Sequence, residues 1–145
     1  MNKENFVDYI KTFNEFGTTT RLTDFRWSTS SNAGVTQKAF NEYWTSAQRQ
    51  SHSLHEISYR ACFKAQLPGF FISRLCKTGD AVYDPFMGRG TTLLEAYLRG
   101  CKPLGNDINP LSVALLSPRL DPPQLRDIIA RLASIDLSVA EESYP

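Results

Sequence analysis

The sequence predicts part of a doubly wound α/β domain preceded by a helical segment, and three observations carry that prediction. A short apolar strand, Ala81-Val82-Tyr83, runs into a glycine turn, Asp84-Pro85-Phe86-Met87-Gly88-Arg89-Gly90. A helix follows over residues 91–99, with Leu93, Leu94, Ala96, Tyr97 and Leu98 as its apolar content and Gly100 as its stop. Lys102-Pro103-Leu104-Gly105 then leads into a second short strand ending near Asp107-Ile108. Strand, turn, helix and strand in that order open a parallel sheet covered by helices. Only two strands read clearly, where an open sheet of this class usually has about five or more.

The elements around this unit follow from periodicity. Phe6, Val7, Ile10, Phe13 and Phe16 recur at near-helical spacing, so residues 4–16 are expected to form a short amphipathic helix ended by Gly17. Residues 17–36, rich in Thr, Ser, Asn and Gly, read as an extended or loop segment. Phe40, Tyr43, Trp44 and Ala47 fall three and four residues apart and predict a second helix over residues 37–50. A third starts at Pro68, a residue tolerated in a first helical turn, and stops at Lys77-Thr78-Gly79-Asp80. Asn109-Pro110 opens a helical stretch over residues 111–116, and Asp121-Pro122-Pro123 precedes a last helix over residues 124–135. Residues 1–50 thus form an N-terminal helical and loop segment, and residues 51–145 the α/β part.

Composition narrows the class. The 145 residues fit one domain, and 41% hydrophobic against 21% charged residues is globular composition. No apolar run approaches the roughly 20 residues that span a bilayer, and Met1-Asn2-Lys3-Glu4-Asn5 is polar, so a cytoplasmic protein without membrane contact is expected. Cys62, Cys76 and Cys101 show neither CxxC nor zinc-ligand spacing, so free thiols and no metal are expected. Sixteen Lys/Arg against 15 Asp/Glu give +1. That is too little for a chain gripping nucleic acid alone. Residues 1–80 hold 10 basic and 7 acidic residues, and residues 81–145 hold 6 and 8, which puts any phosphate contacts in the first half or on another chain.

The glycine turn carries the chemistry. Glycines let a backbone approach a ligand closely, and the N–H groups opening the next helix favour an acceptor or a negative charge. Asp107 stands 23 positions after Asp84 at the end of the second strand, where an acid can accept hydrogen bonds from ribose hydroxyls. A dinucleotide fingerprint needs a third glycine where Thr91-Thr92-Leu93 stand, and no Gly-Lys-Ser/Thr completes a P-loop.

Asp84-Pro-Phe-Met-Gly-Arg-Gly-Thr-Thr92, with Leu-Leu-Glu95-Ala96 and Gly105-Asn-Asp107-Ile-Asn109-Pro110, resembles the first two cofactor motifs of the amino-methylating DNA methyltransferases. The resemblance implies a Rossmann-like methyltransferase fold and S-adenosyl-L-methionine as cofactor. It implies that Asp84, Pro85, Phe86, Met87, Gly88, Gly90, Thr91 and Thr92 surround the methionine part. Asp107 would hold the ribose, with Ile108 against the adenine and Asn109 beside it. His55-Glu-Ile-Ser-Tyr59-Arg-Ala-Cys-Phe63-Lys64-Ala-Gln-Leu67-Pro68 is similar to the block that closes over the methionine end, adding Phe63 and Lys64 to the site. The implied activity is methylation of cytosine N4 or adenine N6 in double-stranded DNA, as in restriction-modification. RNA methyltransferases acting on guanosine N2 carry a related turn and stay open as an alternative.

The same resemblance calls for a Pro-Pro-aromatic loop that accepts hydrogen bonds from the exocyclic amine and stacks on a flipped base. The sequence has one Pro-Pro, in Asp121-Pro122-Pro123-Gln124, and Gln124 cannot stack as an aromatic ring would. It reads as a helix start, so no catalytic residue is assigned. The expectation is a split enzyme, with a second subunit supplying the loop, the remaining strands and target recognition. A non-catalytic paralogue serving as a DNA-binding or regulatory module is the other reading.

Overall fold

The computed structural model describes residues 3–45, 51–57 and 63–135. Helix α1 (Lys3–Thr12) leads into an antiparallel hairpin of β1 (Arg21–Ser28) and β2 (Ala33–Phe40). A short 3-10 turn (Ser53–His55) and α2 (Gln66–Leu75) come next. Then follow β3 (Ala81–Asp84), α3 (Thr91–Leu98), β4 (Lys102–Gly105), α4 (Pro110–Leu120) and α5 (Leu125–Ala133).

The predicted strand-turn-helix-strand unit is present. β3 and β4 pair in parallel, Ala81 opposite Lys102 and Asp84 opposite Gly105, with α3 as the crossover. The pairing runs past the strand ends: Lys102 N–H donates to Asp80 O and Asn106 N–H to Asp84 O. One face of the pair is covered, because Val82 packs against buried Ile72 of α2, Ala96 of α3 and Cys101. The other carries the register partners Tyr83 and Leu104, 61% and 51% exposed. A doubly wound sheet has helices on both faces. Among the described residues this one has them on one, which makes it the partial α/β unit the sequence predicts.

Helix α4 starts as Asn109-Pro110 suggests: the Asn109 side chain accepts from Leu111 N–H and Pro110 takes the first turn. Its Leu116 joins Met87, Leu93 and Leu94 in a second buried cluster. Helix α5 buries nothing, and Leu125, Ile128, Ile129 and Leu132 form an exposed apolar stripe along it.

Upstream, residues 17–36 are extended, one of the two readings expected of them, and contain β1 and the start of β2. Two expectations change. Helix α1 ends at Thr12 rather than running on to Gly17, and the helix expected over residues 37–50 is absent from its described part: residues 37–40 belong to β2, residues 41–45 are irregular, and residues 46–50 lie outside the described residues. The spacing of Phe40, Tyr43 and Trp44 has a different origin. Tyr43 and Trp44 converge on Phe70 of α2, with ring centroids 5.6 and 6.1 Å from it, beside Phe6, Tyr9 and Phe13. Arg74 lies over this cluster, 4.1 Å from the Phe70 ring, and donates to Tyr9 OH. Asn41 ties the hairpin base to α1, its amide donating to Phe13 O and Thr20 Oγ1.

Candidate cofactor site

The 84–92 turn is held in shape by its own hydrogen bonds. An Asp84 carboxylate oxygen accepts from Phe86 N–H at 3.0 Å, Met87 N–H donates to Asn106 O, and Gly90 N–H donates to Met87 O. Asp107 ties the end of β4 to the turn: Oδ2 accepts from Gly88 N–H and Oδ1 from Asn109 N–H, each at 2.8 Å. These amides, Asn109 first and then Gly88, hold the Asp107 carboxyl below its usual range, so it is ionised at neutral pH. Each of its oxygens still has a lone pair to offer a ligand hydroxyl. The first backbone bond back from α3 is Leu94 N–H to Gly90 O, so the amides of Thr91, Thr92 and Leu93 open the helix without a carbonyl one turn earlier.

The two glycines of the turn differ. Gly88 and Gly90 both have left-handed φ, +51° and +85°. A Cβ on Gly88 meets nothing within 4 Å, so the space in front of it is open. A Cβ on Gly90 meets Leu116 Cδ1 at 2.5 Å, so this glycine admits α4 against the turn.

The other expected residues sort by exposure. Phe86 is 86% exposed and Ile108 fully so, while Pro85 is exposed beside them. Met87 faces inward, with its sulfur close to Gly105, and Thr91 is buried, its Oγ1 accepting from Arg89 Nε. Asn109 caps α4. Thr92 and Phe63 line an apolar cavity of about 420 Å³ with Leu67, Ile72 and Val82. Gly88 and Asp107 do not line it, so Asp84, Phe86, Gly88, Asp107 and Ile108 gather at the turn while Phe63 and Thr92 meet elsewhere. Lys64 is exposed.

The upstream block is latched to the unit by contacts that motif reading misses. His55, with a side chain 3% exposed, sits with Nε2 2.8 Å from Glu95 Oε1 on α3. Arg99 pairs with the other Glu95 oxygen, and Gly69 of α2 makes room, since a Cβ there would lie 2.9 Å from Glu95 Oε2. Burial raises the Glu95 carboxyl, but the His55 hydrogen bond and the Arg99 charge outweigh it and leave the group below its ordinary value. Arg89 donates to Ile57 O, joining the turn to the same block. An acid among the apolar residues of α3 is the signal that could have found the latch. Residues 58–62, with Tyr59, Arg60 and Cys62, lie outside the described residues.

A parallel βαβ unit whose glycine turn is buttressed by an acid after its second strand defines a partial α/β domain of the doubly wound type. Its family follows from comparison: residues 5–116 match the DNA methylase model of N6/N4 methyltransferases, and the chain belongs to that family. Among its relatives is the type II methyltransferase M.MjaII of Methanocaldococcus jannaschii, 36% identical over 69 residues, which are 48% of this chain and 13% of that protein. M.MvaI of Kocuria varians is 30% identical over 100 residues, 67% of this chain and 22% of the relative. The chain therefore spans about a fifth or less of the length of these two relatives. A Thermus thermophilus protein assigned as a DNA modification methylase, solved with S-adenosyl-L-methionine, aligns at 34% identity and a TM-score of 0.39 over 43% of this chain and 26% of its own. Among the described residues no helix is long and apolar enough to cross a membrane, and no group of three His, Cys, Asp or Glu is placed to hold a metal.

Proposed function

We propose that this chain binds S-adenosyl-L-methionine for a DNA methyltransferase that methylates cytosine N4 or adenine N6. The observation that carries the reading is the open space before Gly88, beside an ionised Asp107 and the amides that open α3. These residues fit the cofactor: Gly88 admits close backbone approach, Asp107 accepts from the ribose, and Ile108 and Phe86 offer exposed apolar surface to the adenine and the methionine arm. The bound cofactor supplies an electrophilic methyl group. The chain's residues hold and orient it, and orientation is the main protein contribution where no covalent intermediate is needed.

The Pro-Pro-aromatic loop and the rest of the sheet come, in this reading, from a second subunit. The open Tyr83-Leu104 face and the apolar stripe of α5 support it, since contiguous exposed apolar surface marks an interface. Asp121-Pro122-Pro123-Gln124 leads into α5, and Gln124 occupies the N-cap position.

The test is calorimetric titration of S-adenosyl-L-methionine into the chain and its Asp107→Asn variant, alone and with the protein encoded next to it, followed by transfer of labelled methyl to duplex DNA. Asp107→Asn replaces one acceptor oxygen with a donor and removes the charge, so affinity should fall about tenfold. Unchanged affinity removes Asp107 from the site, and full methylation by the chain alone overturns the two-subunit arrangement.

A further inference from the structure

The β1–β2 hairpin divides its residues unequally between its faces. Register places Arg21, Thr23, Phe25 and Trp27 on one face with Phe40, Lys38, Thr36 and Gly34. Leu22, Asp24 and Arg26 lie on the other with Ala39, Gln37 and Val35. The second face borders an open groove beside α1, where Leu22, Val35 and Ala39 lie with Phe6, Val7 and Ile10, and its Leu22 and Val35 are 39 and 62% exposed. The first looks outward and carries three aromatics, two cations and no acid.

Solvent-facing strands normally carry polar side chains, yet Phe25, Trp27 and Phe40 are 42, 41 and 46% exposed. The cations lie among them: Lys38 Nζ is 3.8 Å from the Phe25 ring centroid and the Arg21 guanidinium 5.2 Å from that of Phe40. Trp27 lies across Gly34, where a Cβ would come within 2.8 Å of its ring. The glycine thus keeps the indole flat on the sheet.

We infer that this outward face binds DNA. The inference rests on the DNA methyltransferase reading above and names the surface that meets the duplex. Cations set among exposed rings, with the hairpin's one acid on the opposite face, suit a polyanion whose sugars and bases offer apolar surface. Lys and Arg neutralise phosphates, rings pack on sugars and bases, and a two-stranded ribbon is narrow enough for the major groove. A protein surface offers no such regular array of negative charge. Arg21 and Lys38 also lie in the basic first half of the chain, where the charge balance puts phosphate contacts.

The experiment titrates the full chain into a fluorescein-labelled 30-base-pair duplex at several salt concentrations, with the same-sequence RNA duplex as competitor. Arg21→Glu/Lys38→Glu should weaken binding at least tenfold and flatten the log–log salt slope by about two, one per lost phosphate contact. Trp27→Ala should weaken it severalfold, and Trp27→Phe should restore much of the loss. S-adenosyl-L-methionine titration should be unchanged in every variant and cooperative thermal unfolding should be kept, because the face contributes to neither buried cluster around the 84–92 turn. Absence of duplex binding at low salt both by the chain and by the chain mixed with the protein encoded next to it, variants that bind like the parent, or preferential competition by RNA overturns the inference. Failure of the cofactor reading appears separately, as absent binding heat with S-adenosyl-L-methionine in the parent chain.

Discussion

The glycine turn has a buried side and an exposed side, and the two are built for different purposes. On the buried side Met87 and Gly90 meet Leu93, Leu94 and Leu116, joining strand, crossover helix and α4 into one core. On the exposed side Phe86 and Ile108 stand in solvent around the open space before Gly88. The turn and the end of β4 therefore hold residues that make the fold and residues that pack against nothing, and the second group is the one the proposed function assigns to a ligand. Which is which follows from what lies opposite each position, not from residue type: two glycines of similar backbone conformation fall on opposite sides.

The sharpest way to break this comparison is to place the same side chain at both glycines. Gly90→Val forces a branched residue into left-handed backbone and into Leu116, and each penalty is about 1–3 kcal/mol. Together they take a large share of a stability of about 5–15 kcal/mol. Cooperative thermal unfolding should be lost or strongly lowered. Gly88→Val carries the backbone strain alone, so it should keep a cooperative transition while S-adenosyl-L-methionine affinity falls more than tenfold by calorimetry. If the two variants behave alike, the turn has no separate sides.

The pattern of success along the sequence has a physical cause. The turn, α3 and its stop are legible because local chemistry sets them: Asp84 closes its own turn through Phe86 N–H, and Gly100 ends the helix at φ +72°. Asn109 and Pro110 announce α4 in the same way. The hairpin is legible only as extended chain, because apolar residues fall on both of its faces, Leu22 and Val35 on one and Phe25, Trp27 and Phe40 on the other, which blurs the alternation of apolar and polar residues that betrays a strand. Tyr43 and Trp44 look helical because both reach the Phe70 cluster, a convergence that tertiary packing creates and spacing imitates. Gly90 reads as a ligand glycine for a similar reason. Leu116, which explains it, lies 26 residues downstream.

On the buried side, the Glu95 latch sharpens the comparison through pH. A carboxyl held below its ordinary 4.5 in the folded chain stabilises the fold fully above that value, and the contribution is lost as pH falls through the depressed one. Glu95→Gln removes the charge that His55 and Arg99 share, which should cost about 1–3 kcal/mol at neutral pH. Urea unfolding at pH 7 and at pH 3 should show a gap between parent and variant that closes as pH falls below about 4.5 and through the depressed value of Glu95. A gap that persists at pH 3 would mean that shape, not ionisation, makes Glu95 matter.

The smallest effect is expected on the exposed side, at Ile108. Its side chain is fully exposed, so Ile108→Ala removes no packing and should leave the unfolding free energy within about 0.5 kcal/mol of the parent. Fully burying an isoleucine against a planar ring is worth about 1.5–3 kcal/mol, and truncation to alanine forfeits part of that. If Ile108 flanks the adenine, affinity for S-adenosyl-L-methionine should therefore fall severalfold, to a degree detectable by calorimetry and smaller than for Gly88→Val. S-adenosylhomocysteine should lose affinity by the same factor, because it shares the adenine and differs at the methyl-bearing sulfur. Equal stability with equal affinity would assign Ile108 to some other contact. A loss confined to S-adenosyl-L-methionine would move it from the adenine to the methyl end of the site.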